Sequence, residues 1–593
     1  MRSGVRCTPR SPALDREDGM RLHDSRRLTG PNLLSRRPGA VIDAALADAE
    51  AEAAVGAWLR QARRMLDAVG WREQELAVRR FGAGASLYLS APVDALYAAT
   101  EIDEWAAAAA AAEVNGAGEP DAAGFADAAA RLRAAIARER DPALLALRAA
   151  AAAHGVACLA DDDQVSIGLG AGSRSWPRGR LPRPRAVDWA ALHDVPVALV
   201  TGTNGKTTTV RLAAAMLTAA GRTAGVTTTD RIEVGGAVLD TGDYSGPGGA
   251  RTLLRDRRVQ AAVLETARGG LLRRGLALER VDAAAVTNVA ADHLGGYGVD
   301  DLAGLAETKL LVTSVVVPAG RAVLNAADPE LAARGSRGPS PVTWTSLEPH
   351  LPAPAGLDLA AHLAAGGDAV LLESDQLVLV RAGRREIVAT IAGVPIAFGG
   401  AARYNLANAL TAIGLAAALG LPVAAMADGL AALRNDDFGD NPGRSCLMEI
   451  DGCRALLDYA HNPHGLAALV GFAATLPAKR RLLILGQAGD RDDQAIRDLA
   501  RAAWALRPDR IILKELPAML RGRLPGEVPA ILEAELLHLG ARREAIAHAA
   551  TELEAVQQAL AWARPGDLLV LLVHLQRDAA MALLEQRRRA APG

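Results

Sequence analysis

The stretch VALVTGTNGKTTT, residues 197–209, decides how the chain is read. An apolar run, Val197–Val200, enters a glycine loop, and the amphipathic segment Arg211–Ala220 follows as a helix. Strand, glycine loop, Lys-Thr and helix is the order that wraps a polyphosphate. Glycines let backbone N–H groups converge on the anion, and the helix N-terminus adds its dipole. Lys206 supplies a point charge for the β- and γ-phosphates, and Thr207 a hydroxyl for Mg²⁺. The spacing, G-x-x-G-K-T, is shorter than that of most such loops, because Val200 stands where their first glycine does. Gly202, Thr203, Asn204, Gly205, Lys206, Thr207 and Thr208 are therefore the expected phosphate ligands, and nucleotide binding is the first functional expectation.

Outward from this loop, short apolar runs alternate with amphipathic segments. Val195–Val200, Ala261–Leu264, Ala283–Val286 and Ala322–Leu324 read as buried strands, with a further helix at Leu302–Val312. That alternation predicts βαβ units and a parallel sheet. Residues 336–400 are rich in Gly and Pro with short alternating runs, as expected of an antiparallel appendage. A second βα series follows, with strands at Ala455–Leu457, Leu482–Leu485, Arg510–Leu513 and Leu568–Val573, and helices at Gln494–Ala505 and Glu552–Ala563. Residues 40–160 are Ala-rich and read as helices with a few short strands, since Ala is the strongest helix former. SRSWPRGRLPRPR (173–185) reads as a tether.

The expected fold class is therefore α/β: a P-loop central domain with a parallel sheet, a C-terminal Rossmann-like α/β domain and a small α+β N-terminal domain. The expected divisions are a disordered or misassigned start at 1–19, an N-terminal domain at 20–172, a Pro/Arg linker at 173–190, a central ATP-binding domain at 191–440 and a C-terminal domain at 441–593.

Composition removes several function classes. The 66 Lys+Arg and 68 Asp+Glu leave a net charge of −2, which argues against nucleic-acid or membrane-surface binding driven by gross charge. With 8 Trp, 6 Tyr and 5 Phe in 593 residues, stacking platforms for bases are not expected. The 4 cysteines show no metal-site spacing and fit a reducing compartment. No apolar run is long enough to span a membrane and the first residues lack a secretory apolar core, so a cytoplasmic protein is expected. Only four of the 66 basic residues are lysines: Lys206, Lys309, Lys479 and Lys514. Each raises the question of whether its position needs an amine that Arg cannot supply.

Strand Ala261–Leu264 ends in ETARGG, placing Glu265 at the carboxyl end of a parallel strand, where a ligand crevice is expected. A carboxylate there suits Mg²⁺, a hard cation that takes oxygen ligands. The next strand ends in Asn288-x₃-Asp292-His293-Leu294-Gly295, and Lys309 follows on the helix.

GTNGKTTT (202–209), ETARGG (265–270), N-x₃-DHLG, Lys309, VLNAADP (323–329), PGR (442–444), DYAHNP (458–463) and GDRDD (489–493) together resemble the Mur ligase family. Within it, TTTD (227–230), GDYSGP (242–247), ETARGGLLRRGL (265–276) and RGRLPGE (521–527) are most like the Mur-like half of the cyanophycin synthetases. The likeness covers about 190–590. RRLTGPN (26–32) and VSIGLG (165–170) resemble the start and end of the N-terminal domain of that branch. There an ATP-grasp domain comes next, whereas this chain passes from Gly172 through the Pro/Arg stretch into the P-loop. It is thus expected to lack the ATP-grasp half.

The resemblance implies an ATP-dependent carboxylate–amine ligase working through an acyl-phosphate, with ADP and phosphate as products and ATP and Mg²⁺ as cofactors. It implies catalytic roles for Lys206, Lys309, His293 and Glu265. Metal contacts fall to Thr207, Glu265, His293 and Lys309, the last if carbamylated. Asn408, Arg444 and Asp458 face the nucleotide, and His461, Arg521, Arg523 and Glu527 border the incoming amino acid. Arginine as the added amino acid and an Asp-containing peptide or polymer as the acceptor are what the likeness suggests. A separate ATP-grasp ligase as partner and a homo-oligomer stay open. So does the alternative of a non-catalytic nucleotide-binding partner of such a ligase. Lys514 is open between the amino-acid pocket and solvent, and Lys479 reads as surface.

Overall fold

The structure, a computed structural model, describes residues 20–46, 50–350, 352, 354–435 and 441–590. The expectation for 1–19 lies outside them.

Strand Val197–Thr201 sits in an 11-stranded sheet. Its parallel core runs in the order Ala224–Thr227, Ala261–Glu265, Val197–Thr201, Val281–Val286, Val316–Asn325, Val342–Ser346 and Asp368–Glu373. Antiparallel hairpins close both edges, Arg231–Val234 with Ala237–Thr241 and Gln376–Arg381 with Arg384–Thr390. Parallel strands covered on both faces read as unbroken apolar runs, and Val197–Thr201, Ala261–Glu265 and five of the six residues of Val281–Val286 are buried. Helices Lys206–Ala219, Arg403–Ala418 and Val423–Ala432 cover one face through Leu212, Met216, Leu410, Ile413 and Met426.

Residues 336–400 depart from the expected antiparallel appendage. Val342–Ser346 and Asp368–Glu373 pair in parallel with the main sheet, and the expected antiparallel pairing begins only where Asp368–Glu373 turns back into Gln376–Arg381 and then Arg384–Thr390.

The C-terminal region builds a second sheet ordered Cys446–Ile450, Cys453–Asp458, Leu568–Leu572, Arg481–Leu485, Arg510–Lys514 and Ile546–Ala549, with only the first strand antiparallel. The N-terminal region is a four-stranded antiparallel sheet backed by helices Ala51–Ala68 and Leu96–Val114. Its seam with the central sheet includes Arg79 donating to the Gly298 carbonyl and the Arg26 guanidinium 4.9 Å from the Tyr297 ring centroid. The tether reading needs correction at its start. Arg174–Pro177 pairs with Gln164–Ile167 as the outer strand of a three-stranded sheet, and backbone pairing of this kind leaves its Arg and Ser side chains in solvent.

Candidate active site

The glycine loop leaves strand Val197–Thr201 and turns into the helix starting at Lys206. Two of its glycines are required by the backbone. Gly202 has φ 149°, and a Cβ there would lie 1.8 Å from Thr287 Oγ1. Gly205 has φ 84°, and a Cβ there would lie 2.1 Å from Asn408 Oδ1. The next strand fastens the loop from one side. Thr203 N donates to the Asn288 carbonyl (2.9 Å), Asn204 N to Asn288 Oδ1 (3.0 Å), and Thr287 Oγ1 to the Asn204 carbonyl (2.6 Å). Lys206 Nζ donates to the Thr203 carbonyl at 3.1 Å.

Register sets the carboxylate beside the loop: Glu265 pairs with Val200 across adjacent parallel strands. Thr207 Oγ1 donates to Glu265 Oε2 at 2.8 Å, while Glu265 Oε1 is buried and takes no hydrogen bond among the described residues. Burial raises the Glu265 carboxyl above its ordinary range against the opposing charge of Lys206. A buried carboxylate with an open oxygen next to a threonine hydroxyl fits a hard divalent cation. Lys309 lines the same cleft from helix Leu302–Leu310, is 3% exposed, and has no hydrogen bond or ion pair among the described residues. Burial, then the charge of Lys206, push its amine well below the usual lysine range.

The cleft, about 1040 Å³, lies between the two large sheets. Its lining brings together the loop 202–208, Glu265, His293, Lys309, Asn408, Arg444, Asp458, His461 and Arg521. Arg444 reaches toward Asp230 (3.7 Å) and lies 4.3 Å from the Tyr459 ring centroid. Asp458 is fixed by Ser445 N (2.7 Å), Ser445 Oγ (3.0 Å) and Ala460 N (2.7 Å), and burial raises its carboxyl despite Arg444. Arg523 and Glu527 do not line the cleft. Arg523 is 8% exposed and braces the loop behind it, donating to the carbonyls of Gly489 (3.2 Å) and Arg491 (2.7 Å) and to Asp493, with Glu527 as a further partner. Arg521 pairs with Asp490 at the rim.

His293 enters a cluster in which ligand atoms of Asp292, His293 and His461 lie within 4.8 Å of one another. Arg491 Nη2 stands 2.9 Å from both Asp292 Oδ1 and His293 Nε2. Of the expected metal residues, which all line the one cleft, Thr207 and Glu265 share a hydrogen bond, His293 stands beside the Arg491 guanidinium, and Lys309 has no hydrogen bond or ion pair among the described residues.

Several residues at this junction carry no motif of their own. Asp230 is shared by Arg211 (3.1 Å), Arg444 and Arg577 (2.8 Å). Asn204 and Asn462 exchange side-chain hydrogen bonds of 3.1 and 3.0 Å across the two domains. Asn462 and Asp230 stand inside DYAHNP and TTTD, and that position was their one sequence signal.

Fold and cleft define a P-loop protein that brings a second α/β domain onto its phosphate loop. Residues 200–416 match the Mur ligase middle domain and residues 443–572 the Mur ligase glutamate ligase domain. Together these take in more than half of the chain, which belongs to the Mur ligase family. The cyanophycin synthetase of Synechocystis sp. is 38% identical over 343 residues, 58% of this chain and 38% of that protein. That of Trichormus variabilis is 35% identical over 380 residues, 64% of this chain and 41% of that protein. The UDP-N-acetylmuramoyl-L-alanyl-D-glutamate–2,6-diaminopimelate ligase of Geobacter metallireducens is 27% identical over 401 residues, 64% of this chain and 73% of that protein. The chain therefore matches about two fifths of the length of these cyanophycin synthetases.

Proposed function

We propose that the chain is an ATP-dependent carboxylate–amine ligase acting through an acyl-phosphate. The observation that carries this reading is the buried Thr207–Glu265 pair, with its open carboxylate oxygen, in one cleft with Lys206 and Lys309. A nucleotide binder needs the loop. It has no use for a buried lysine, Lys309, that makes no hydrogen bond or ion pair among the described residues.

Lys206 leaves the Thr203 carbonyl to meet the γ-phosphate, and the loop N–H groups hold the β-phosphate. Thr207 and Glu265 would hold Mg²⁺, which would supply positive charge against that developing on the transferred phosphoryl group. A substrate carboxylate oxygen bonds to the γ-phosphorus and the bond to ADP breaks. The amine then bonds to the acyl carbon, phosphate leaves with the oxygen, and the amine gives up a proton. Acyl-phosphates hydrolyse readily, so water must be kept out. Asn204–Asn462 and Asp292–Arg491 draw the C-terminal domain onto the loop and do this. Lys309, its amine pushed well below the usual lysine range by burial, is suited to add CO₂ and become a carboxylate within the cleft, which an arginine cannot do. Arg444 and Asp458 meet the nucleotide from the C-terminal domain, and His461 and Arg521 border the amine.

The likeness to cyanophycin synthetases makes arginine the first amine to test and short Asp-containing peptides the first acceptors. A phosphate-release screen of amino acids against Asp- and Glu-containing peptides, with mass spectrometry of the product, tests the reading. ADP formation should need both substrates and be abolished by Lys206→Ala. Undiminished ligation in that variant overturns it, and turnover seen only with a separate ATP-grasp ligase present favours a non-catalytic partner.

A further inference from the structure

Lys514 is the remaining lysine without a role, and it lies in the core of the C-terminal domain, 1% exposed. An ammonium has three donors and no acceptor, and here the three donors find three acceptors: Glu552 Oε1, the Leu572 carbonyl (2.6 Å) and His574 Nδ1 (3.2 Å). Glu552 is itself held by the backbone N–H groups of His574 (2.7 Å), Leu575 (2.6 Å) and Gln576 (2.6 Å), so it also fastens the turn leading into helix Arg577–Ala590.

The lysine fixes the tautomer of its neighbour. His574 Nδ1 faces an ammonium and must accept, which leaves the ring proton on Nε2. That nitrogen lies 3.1 Å from the Ala460 carbonyl and donates to it. The His574 ring also packs edge-on against Tyr459 (5.2 Å between centroids) and His461 (6.3 Å). Burial and the charge of Lys514 keep the imidazole neutral. A guanidinium cannot replace this amine, since its planar fork carries five donors and more volume in a fully buried place.

We propose that Lys514, Glu552 and His574 form a positioning triad that sets the Ala460–His461 segment on the amine side of the cleft. The proposal rests on the ligase reading and adds residues outside the cleft to it. Replacing a buried ion pair by apolar groups is often neutral or stabilising, so stability alone does not account for keeping one here. Beside the Ala460 N–H bond to Asp458, the nucleotide side has further anchors of its own, Asp458 to Ser445 and Arg444 to Asp230. Disturbing the triad should therefore reach the amine before ATP.

The test uses the full chain labelled with ¹⁵N-histidine, plus steady-state kinetics. In wild type, His574 should show a protonated Nε2 and bare Nδ1 from pH 6 to 8. Lys514→Met should lose that fixed tautomer and raise the KM for the amine at least 5-fold, with the KM for ATP within 2-fold. His574→Gln, which keeps a donor for the Ala460 carbonyl, should hold the wild-type amine KM, and His574→Phe should not. That pair carries the test if Lys514→Met does not fold. An unchanged His574 signal in Lys514→Met, equal amine KM values in the two His574 variants, or ATP and amine KM values rising together would overturn the proposal. A chain without ligase activity but with the expected His574 signal would refute the ligase reading and leave the triad's geometry intact.

Discussion

Thr207 Oγ1 donates to Glu265 Oε2 over 2.8 Å, while Oε1 of the same carboxylate is buried and takes no hydrogen bond among the described residues. A buried carboxylate oxygen left without a hydrogen bond is costly. The raised Glu265 carboxyl expresses this cost. Between the ordinary value of 4.5 and the raised one, the native state binds more protons than the unfolded chain, so this group's contribution to stability falls as pH rises.

Glu265→Gln should therefore raise the melting temperature of ligand-free protein at pH 7–8, with the gain shrinking toward pH 4.5. With ATP present, the divalent-cation concentration for half-maximal turnover should rise about 10–100-fold, the range for weakened metal-site support. A melting temperature that fell equally at both pH values would show that Glu265 serves packing instead.

Lys309 gives the opposite slope. Burial, with Lys206 adding to it, holds the amine well below 10.5, so between the two values the unfolded chain binds the extra proton and stability rises with pH. Lys309→Met should flatten that rise in denaturant titrations from pH 7 to 10. Lys309→Arg should be inactive, and Lys309→Ala should recover part of its activity with bicarbonate or a short carboxylate. Full activity in Lys309→Arg would rule out carbamylation.

Gly205 closes the loop at φ 84°, with Asn408 Oδ1 where a Cβ would stand. Gly205→Ala adds about 1–2 kcal/mol of left-handed backbone strain and a clash that displaces Asn408. Nucleotide affinity by calorimetry should fall about 10-fold or more. Gly205→Ala/Asn408→Ala should recover only part of the loss, because the strain persists. Complete recovery would mean that the clash alone mattered.

What could be read from the chain follows how local each signal is. Val197–Thr201 and Ala261–Glu265 were legible because buried parallel strands are unbroken apolar runs. Val342–Ser346 was missed as part of the main sheet because VTWTS alternates apolar and polar residues, as a half-exposed strand does, although all five residues are buried; only its register with Val316–Asn325 places it. Lys206 and Glu265 could be named because one opens the helix after the glycine loop and the other ends a strand beside it. Arg577 and Asp230 could not be paired, since 347 residues separate them. Lys514 stayed open for the same reason: a charge belongs in a core only with a partner, and Glu552 lies 38 residues away. Arg523 and Glu527 sit in a matching motif, yet the Arg523 side chain turns to the loop 489–493 and Glu527 pairs with Arg523, directions that spacing does not encode.

Asp292 joins the two halves of the cleft. It accepts from Arg491 (2.9 Å) and Asn462 (3.3 Å) of the C-terminal domain, and His461 Nε2 lies 3.5 Å away. Burial alone would raise its carboxyl, but the His461 hydrogen bond and the charges of His293 and Arg491 outweigh it and hold the group well below its usual range. Truncating one partner of such a desolvated pair costs about 2–5 kcal/mol, and here the cost falls on the closed arrangement. Arg491→Ala should therefore favour separation of the domains, seen as a larger radius of gyration in solution scattering with ATP bound. Water then reaches the acyl-phosphate, so ADP should form in excess over amide, where wild type yields about one ADP per bond. His293, freed of the guanidinium, should at the same time become more accessible to diethyl pyrocarbonate. A variant that stays compact and keeps ADP and amide in step would show that Asp292–Arg491 does not hold the cleft shut.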